Sequence, residues 1–259
     1  MEFMRARCRG QFLLGSVLAL FGLVAPALGG PPFQTDDPQP VDFHHYEAYA
    51  FGTFDHTHGG TGAVFPAFEF NVGAAPNLQL HLVLPMAYAA ADGQRTQYGV
   101  GDMELGMKYR FVDENAHGWR PMVGVFPMVE VPSGDAARGL GNGGTWARLP
   151  LWIQKDIGAW TTYGGAGYTI NRAPGMRDYP FAGWLVQRTL NKKWTLGGEV
   201  FGQGAQEVGG RGSTYFDAGG YYFFTPGFQL LFMAGHTVAG EAHTMGYLGL
   251  YWTWGRKGK

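Results

Sequence analysis

The sequence predicts an all-β fold, a transmembrane antiparallel up-and-down β-barrel of about twelve strands. The first supporting observation is an alternation of apolar and polar side chains that recurs in long, similarly spaced segments. The second is a composition with 15% aromatic residues, 43 glycines and only 15% charged residues, where average proteins carry about 25% charged residues. The third is an even number of such segments, as expected for a bacterial barrel with both ends in the periplasm.

Residues 1–29 have the pattern of a secretory signal peptide, which we exclude from the fold. Three arginines supply the positive charge, and residues 12–24 form an apolar stretch that is too short to span a bilayer as a helix. Small residues at 25–29 offer a cleavage site. Cys8, the only cysteine, lies inside this signal, so the exported chain is predicted to lack disulfides and thiolate chemistry.

Residues 30–42 are interpreted as a periplasmic N-terminal segment, and residues 43–259 as the barrel itself. The stretch from Pro31 to Val41 contains several prolines and is therefore unsuited to a central strand. Two placements are open to it. It is either a solvated periplasmic tail or a segment that folds back and plugs the lumen.

The alternation and the turn signals between segments predict twelve strands. They lie near residues 43–55, 61–73, 77–90, 100–112, 119–131, 145–155, 159–171, 179–190, 194–206, 213–224, 227–237 and 242–254. In residues 102–111 the large apolar side chains are odd-numbered and the charged ones even-numbered, which gives that strand one face suited to lipid. Residues 179–190 and 227–237 alternate poorly, so their facing is not predicted.

Aromatic residues near the predicted strand ends indicate two girdles at the membrane interfaces, because indole and phenol rings prefer the level of the lipid headgroups. We assign five tryptophans to these girdles: Trp119, Trp146, Trp160, Trp194 and Trp254. Every second predicted connection is short, as expected for periplasmic turns opposite longer extracellular loops. Residues 247–254 resemble the C-terminal assembly signal of outer-membrane barrels, so the barrel-assembly machinery is a predicted partner during biogenesis.

Charged side chains within the predicted strands must face the lumen, because Arg or Lys facing lipid at mid-membrane costs about 2–4 kcal/mol. We predict thirteen lumen-lining residues on this basis and on strand facing: Glu47, Glu69, Gln79, His81, Asp102, Glu104, Lys108, Arg110, Arg120, Glu130, Arg148, Glu199 and Asp217. These side chains either line water or pair across a packed interior. A twelve-stranded barrel is intermediate between barrels that are filled and barrels that hold a channel, so both interpretations stay open.

Other site chemistries find little support in the residues. A formal net charge of −1 gives no basic footprint for nucleic acid. Four histidines within residues 44–58 lack a cysteine partner, and the adjacent pair points to opposite faces of a strand, so we predict no metal site. The glycine-rich residues 139–144 precede a strand rather than a helix, which argues against phosphate binding. Ser133 and Ser213 have no histidine nearby in sequence. We predict no cofactor and no catalytic residue.

Several stretches are similar to the MetA-pathway of phenol degradation family of outer-membrane proteins. They cover nearly all of the predicted exported chain: PPFQTDDPQPVDFHHYEAYAF (31–51), GVGDMELGMKYRF (99–111), VEVPSGDAARGLGNGG (129–144), LPLWIQKDIGAWTTYGGAGYTIN (149–171) and GGEVFGQGAQEVGGR (197–211). The resemblance implies a membrane barrel with a role in the uptake of hydrophobic or aromatic compounds.

The sequence therefore predicts a protein of the cell outer membrane that gives passive passage to small solutes. Hydrophobic and aromatic solutes are implied by the resemblance alone. Outer-membrane lipid and lipopolysaccharide are the predicted surroundings. Two alternatives stay open, a closed barrel with a structural or assembly role and, third, an outer-membrane enzyme that modifies lipids.

Overall fold

The computed structural model describes residues 31–91 and 93–255, so the predicted signal peptide lies outside the described residues. Besides one short 3-10 helix at Ala136–Arg138, the regular structure of this part of the chain is a single sheet. None of its helices is long and apolar enough to cross a membrane. The strands are β1 (His45–Thr57), β2 (Gly60–Ala75), β3 (Leu78–Ala91), β4 (Gln97–Val100 and Met103–Val112), β5 (Met122–Val125 and Met128–Val131), β6 (Trp146–Ile157), β7 (Trp160–Asn171), β8 (Tyr179–Thr189), β9 (Trp194–Gln203), β10 (Ser213–Thr225), β11 (Phe228–Gly240) and β12 (Thr244–Gly255).

Each strand pairs antiparallel with the next strand along the chain. Of the two interrupted strands, β4 pairs with β3 on both sides of its break, and β5 pairs with β6 on both sides of its break. β1 pairs with β12 over its length, from His45 opposite Gly255 to His56 opposite Thr244. The sheet is therefore a closed barrel of twelve strands, in which the short stretch Gln97–Val100 pairs on one side, with β3. The predicted fold class is confirmed.

Burial alternates along the strands, as it must when one face meets the lumen and the other faces outward. In β8, Phe181 and Leu185 are buried while Ala182, Trp184 and Val186 are exposed. The sequence left the facing of this strand open because both of its faces carry apolar side chains. In a barrel with an aromatic interior, hydrophobicity alone cannot tell the two faces apart.

Large apolar side chains are exposed around the outside of the barrel, where lipid would cover them. Examples lie on β3, β4, β6 and β8: Leu80, Leu84, Leu105, Leu149, Leu151 and Val186. So much exposed apolar surface on a folded chain marks a membrane-facing belt.

The connections differ at the two ends of the barrel. The end that holds His45 and Gly255 has two-residue turns at 76–77, 158–159 and 226–227, and we call it the turn end. The opposite end, the loop end, has the longest connection, 132–145, together with 172–178 and 204–212, whereas the turn end has one long connection, 113–121. Short turns belong on the periplasmic side of such barrels, so we assign the turn end to the periplasm.

Four of the five girdle tryptophans lie at the turn end with exposed indoles: Trp119, Trp160, Trp194 and Trp254. Trp146 does not, and its assignment to a girdle is corrected. It occupies an inward position at the loop end of β6, where it pairs with Glu130 of β5 across the sheet. The preference of indole rings for the interface specifies a depth in the membrane but not a face of the strand. For this reason the sequence could not distinguish an inward Trp146 from a girdle residue.

Candidate functional site in the barrel lumen

Twelve of the thirteen predicted lumen residues lie at inward positions of the barrel wall. Seven are buried: Glu69, Gln79, His81, Asp102, Lys108, Glu199 and Asp217. Five are partly exposed: Glu47, Glu104, Arg110, Glu130 and Arg148.

Arg120 is not a wall residue, and its prediction as lumen-lining is corrected. It is exposed in the connection 113–121, where its Nε donates to the carbonyl of Asp113. The predicted strand began at residue 119, whereas β5 begins at Met122. Pro121 lacks the N–H that a wall strand would need there, so the strand starts after it.

The N-terminal segment, residues 31–41, lies inside the barrel. The Glu199 carboxylate accepts the backbone N–H groups of Gln34 and Thr35, at 2.6 and 2.8 Å. The Gln79 side-chain carbonyl accepts the N–H of Val41 at 2.9 Å. These acceptors belong to β9 and β3, on different sides of the lumen. The sequence left open a solvated periplasmic tail and a segment that folds back into the lumen. These contacts are those of a segment in the lumen.

An ion pair adds to these hydrogen bonds. The Lys108 ammonium on β4 lies 2.9 Å from the Asp36 carboxylate and 3.3 Å from that of Asp37. The Asp37 side chain and Lys108 are both buried, so water screens their interaction little.

Inward glycines make room for the segment. A Cβ atom on Gly183 would clash with the Thr35 hydroxyl, and one on Gly73 would clash with the carbonyl of Asp42. A Cβ on Gly124 would lie 3.0 Å from the carbonyl of Pro38. These three glycines belong to β8, β2 and β5, so the wall is indented along the course of the segment.

One side of the lumen carries a chain of polar contacts. The Tyr251 hydroxyl donates to Glu47 at 2.7 Å, and the Asn71 amide donates to Glu69 at 2.8 Å. The imidazole of His81 is within hydrogen-bond distance of the Asn71 carbonyl at Nδ1, 2.8 Å, and of Glu104 at Nε2, 3.0 Å. Three acidic groups, on β1, β2 and β4, are thereby bridged by neutral or basic partners.

The other side of the lumen is aromatic, and the sequence analysis missed it. Ring centres of Trp152 and Phe181 are 6.1 Å apart, those of Phe181 and Phe201 are 6.0 Å apart, and Tyr215 continues the row at 6.4 Å. The Arg148 guanidinium lies over Phe181, 4.1 Å from the ring centre. A usable signal was present, since Trp152 has the same strand parity as Arg148.

The longest loop folds onto the barrel mouth. The Asp102 carboxylate, in the break of β4, accepts the backbone N–H groups of Gly134 and Asn142, at 2.7 and 2.5 Å. Arg138 donates to the Gln97 side chain and to the carbonyl of Tyr98. The glycine-rich stretch noted in the sequence is thus a loop held by side chains of the wall, and β6 follows it.

The histidines of residues 44–58 lie at opposite ends of β1. His45 is at the turn end, and His56 is at the loop end, where its Nδ1 lies 2.8 Å from the Thr61 hydroxyl. Within residues 31–91 and 93–255, no three His, Cys, Asp or Glu side chains are grouped in a way that could hold a metal ion.

Comparison with known proteins agrees with this architecture. Residues 32–253 match the family described as "Putative MetA-pathway of phenol degradation". The chain belongs to this family. We found no match among curated proteins.

Several solved structures of outer-membrane barrels have the same fold as this member of the phenol-degradation family. An outer membrane channel from Pseudomonas putida F1 superposes with a TM-score of 0.66 at 14% identity, covering 84% of this chain and 98% of its own. The KdgM porin in complex with disordered oligogalacturonate gives 0.56 at 10% identity, covering 80% and 99%. The NanC porin gives 0.55 at 8% identity, covering 79% and 98%. The shared fold is that of outer-membrane barrels, and this family member is a barrel of the cell outer membrane.

Proposed function

We propose that this chain is an outer-membrane channel that gives passive passage to small solutes, hydrophobic and aromatic ones among them. We further propose that the N-terminal segment closes it. The observation that carries the proposal is the fit of this segment into an indented lumen. Gly183, Gly124 and Gly73 leave space that the wall does not fill by itself.

The contacts of the segment suit a part that can leave. Its polar contacts are hydrogen bonds to Glu199 and Gln79 and an ion pair to Lys108, which water can replace, and Phe33 adds one side chain to the buried apolar cluster of the lumen. The wall strands, by contrast, are joined by continuous ladders around the whole barrel. Release of the segment would therefore open a path without breaking the sheet.

Deletion of residues 31–41 tests this function. In planar bilayers we expect the deleted protein to conduct steadily and the full chain to conduct in brief openings or at a lower level. The matched control replaces the same residues by a glycine–serine tail of equal length, which should behave like the deletion. A deleted protein that folds to a heat-modifiable barrel and never conducts would contradict the channel function.

A closed barrel with a structural or assembly role is the second candidate, and one observation favours it. Trp152, Tyr163, Leu185, Phe201 and Leu231 all point inward with at most 1% of their surface exposed. Such packing stiffens a barrel. Absence of conductance in both the full chain and the deletion, with a loss of thermal stability on deletion, would favour this candidate.

We propose no catalytic role. Ser133 donates to the carbonyl of Gly101 and Ser213 to that of Glu241, and among the described residues neither hydroxyl bonds a histidine. The pair His243–Asp55, with 2.8 Å between Nδ1 and the carboxylate, therefore lacks a serine nucleophile beside it. Hydrolysis of phospholipid by the purified protein in detergent would contradict this view.

Lipopolysaccharide is a proposed neighbour of the loop end. Arg177 and Arg211 are exposed there, and guanidinium groups form two-pronged contacts with phosphate. Arg172 is already paired with Asp178 at 2.9 Å. Arg177→Gln with Arg211→Gln should lower the lipopolysaccharide that co-purifies, while Lys192→Gln at the turn end should not. Equal amounts in both would count against the contact.

The barrel-assembly machinery is a proposed partner during biogenesis. Residues 247–254 form most of β12, the strand that closes the barrel against β1. Replacement of Tyr251 and Trp252 by alanine should slow assembly in cells more than it lowers the stability of the finished barrel. Normal assembly kinetics would argue against recognition of this strand.

A further inference from the structure

The basic side chains that face the lumen differ in their partners. Lys108 is paired with Asp36 and Asp37, and Arg110 is paired with Asp113 at 2.9 Å. Arg148 forms neither an ion pair nor a hydrogen bond within the described residues, and its Nε is buried without an acceptor. Burying a charged group without a counter-charge or a hydrogen-bond acceptor costs free energy, and a bound anion would reduce that cost.

Lys108 and Arg148 share a second property, which is an aromatic ring beneath the charge. The Lys108 ammonium lies 4.9 Å from the ring centre of Phe126, and the Arg148 guanidinium lies 4.1 Å from that of Phe181. Ring contacts stabilise a cation without neutralising it. Both groups therefore keep a positive charge directed at the lumen.

The Asp36 carboxylate interacts with both cations. It lies 2.9 Å from the Lys108 ammonium, and it is among the charges that attract the Arg148 guanidinium. A carboxylate therefore already lies at the Lys108 ammonium, where it also attracts the Arg148 guanidinium. That carboxylate belongs to the segment that closes the lumen.

We propose that Lys108 and Arg148, with the rings of Phe126 and Phe181, form a binding site for small aromatic carboxylates, and that Asp36 occupies this site as a tethered competitor. The proposal deepens the channel function above and rests on it. An aromatic carboxylate would replace the Asp36 carboxylate at the cations and add its own ring to the aromatic row.

The acidic side chains near Arg148 favour a ligand that carries a single negative charge. Glu104 and Glu199 also attract Arg148, so they would repel a second carboxylate at the same place. A neutral phenol or alcohol lacks the charge that the cations favour, and an amine would be repelled by them. The site therefore fits a monocarboxylate attached to a ring, of which benzoate is the simplest.

Binding of benzoate to the purified full-length barrel in detergent tests the site. Replacing Asp36 and Asp37 together by asparagine should tighten benzoate binding about tenfold, because the competing carboxylates are gone. In that background, Arg148→Gln and Lys108→Gln should each weaken binding about tenfold. Arg188→Gln is the matched control, since Arg188 lies over the Trp160 ring on the outer face, 5.2 Å from its centre.

The neutral benzyl alcohol and the cationic benzylamine serve as ligand controls. Their binding should be weak and unchanged by all of these substitutions. Benzoate that binds no more tightly after the asparagine substitutions, or that ignores Arg148→Gln, would overturn the proposal. When Asp36 and Asp37 are already asparagine, Lys108→Gln and Arg148→Gln leave no buried carboxylate without its partner at positions 36 and 37. Heat-modifiable mobility on gels checks that each variant has folded into a barrel.

Binding in micelles does not depend on conductance, so the two proposals can fail separately. One result is that benzoate binds with the expected pattern while the barrel never conducts after deletion of residues 31–41. This result would support the binding site and contradict the channel function. Conductance without any effect of Arg148 or Lys108 on benzoate would leave the channel and overturn the site.

Discussion

The Oε2 atom of Glu199 lies 2.8 Å from the backbone nitrogen of Thr35, across 164 positions of sequence. Glu199→Gln keeps one acceptor and turns the other into a donor, so one buried N–H of the segment loses its partner, at a cost of about 1–3 kcal/mol. We expect a thiol at position 35, introduced as Thr35→Cys, to be labelled roughly fivefold to a hundredfold faster in this variant. Glu207→Gln, at an exposed loop carboxylate, should leave the rate unchanged. An unchanged rate in Glu199→Gln would mean that this contact does not hold the segment.

The loop 132–145 should depend on Asp102 in the same way. Asp102→Asn can accept only one of the two N–H groups that Gly134 and Asn142 donate, so the loop should detach from the wall. Trypsin cleavage after Arg138 on intact cells reports this, and we expect it to accelerate several-fold. Asp135→Asn is the control, because the Asp135 side chain makes no capping hydrogen bond in the same loop. Equal cleavage of both variants would contradict the role of Asp102.

The outward face of the wall should reject charge. Leu82→Arg on β3 and Val125→Arg on β5 each place a guanidinium toward lipid, which costs about 2–4 kcal/mol near the middle of the membrane. We expect a reduced yield of heat-modifiable barrel from both. Ala137→Arg, in the exposed 3-10 helix of the loop end, should assemble normally. Full yield from all three variants would show that the facing is misassigned.

Docking of the N-terminal segment should weaken as pH rises. Burial raises the pKa of the Asp37 carboxyl from 3.8 to about 7, with Asp36 adding to the rise and Lys108 opposing it. The other titratable groups that face it are Tyr163 and Tyr221. The docked segment holds a proton that the released segment gives up, so this stabilisation is complete below about pH 4 and is lost as pH rises through about 7.

A spin label at the exposed side chain of Gln34 measures this dependence. Its mobile fraction should grow between pH 5 and pH 8 and change little above that range. Asp37→Asn removes the titrating group and should flatten the profile. A wild-type profile that is flat, or that runs in the opposite direction, would contradict the assignment to Asp37.

The wall of the barrel was largely predictable from the sequence, because strand facing is a local property with a period of two residues. Glu104, Lys108 and Arg110 could be placed on the inward face of β4 without knowledge of any partner strand. The two wrong assignments concern residues for which the two-residue period does not decide the position. Arg120 lies beyond the end of a strand, and Trp146 has an interfacial side chain on an inward position.

The contents of the lumen were not predictable in the same way. The position of the N-terminal segment depends on Glu199, Gln79 and Lys108, which lie between 38 and 165 positions away from their partners in sequence. Proline content excluded a strand there but did not distinguish a tail from a plug. The aromatic row of Trp152, Phe181 and Phe201 was missed because charge was used as the marker of an inward face.

The segment stays attached to β1 through residues 42–44, and His44 adopts a positive φ of 64° at this junction. After undocking, its carboxylates remain close to the lumen, so return is an intramolecular event with an effective concentration on the order of millimolar. A free solute that binds the lumen as tightly as the segment does has to reach about that concentration before it competes with redocking. The short tether therefore sets a concentration threshold. The barrel would admit a compound that is abundant outside the cell and would stay closed to the same compound at low concentration.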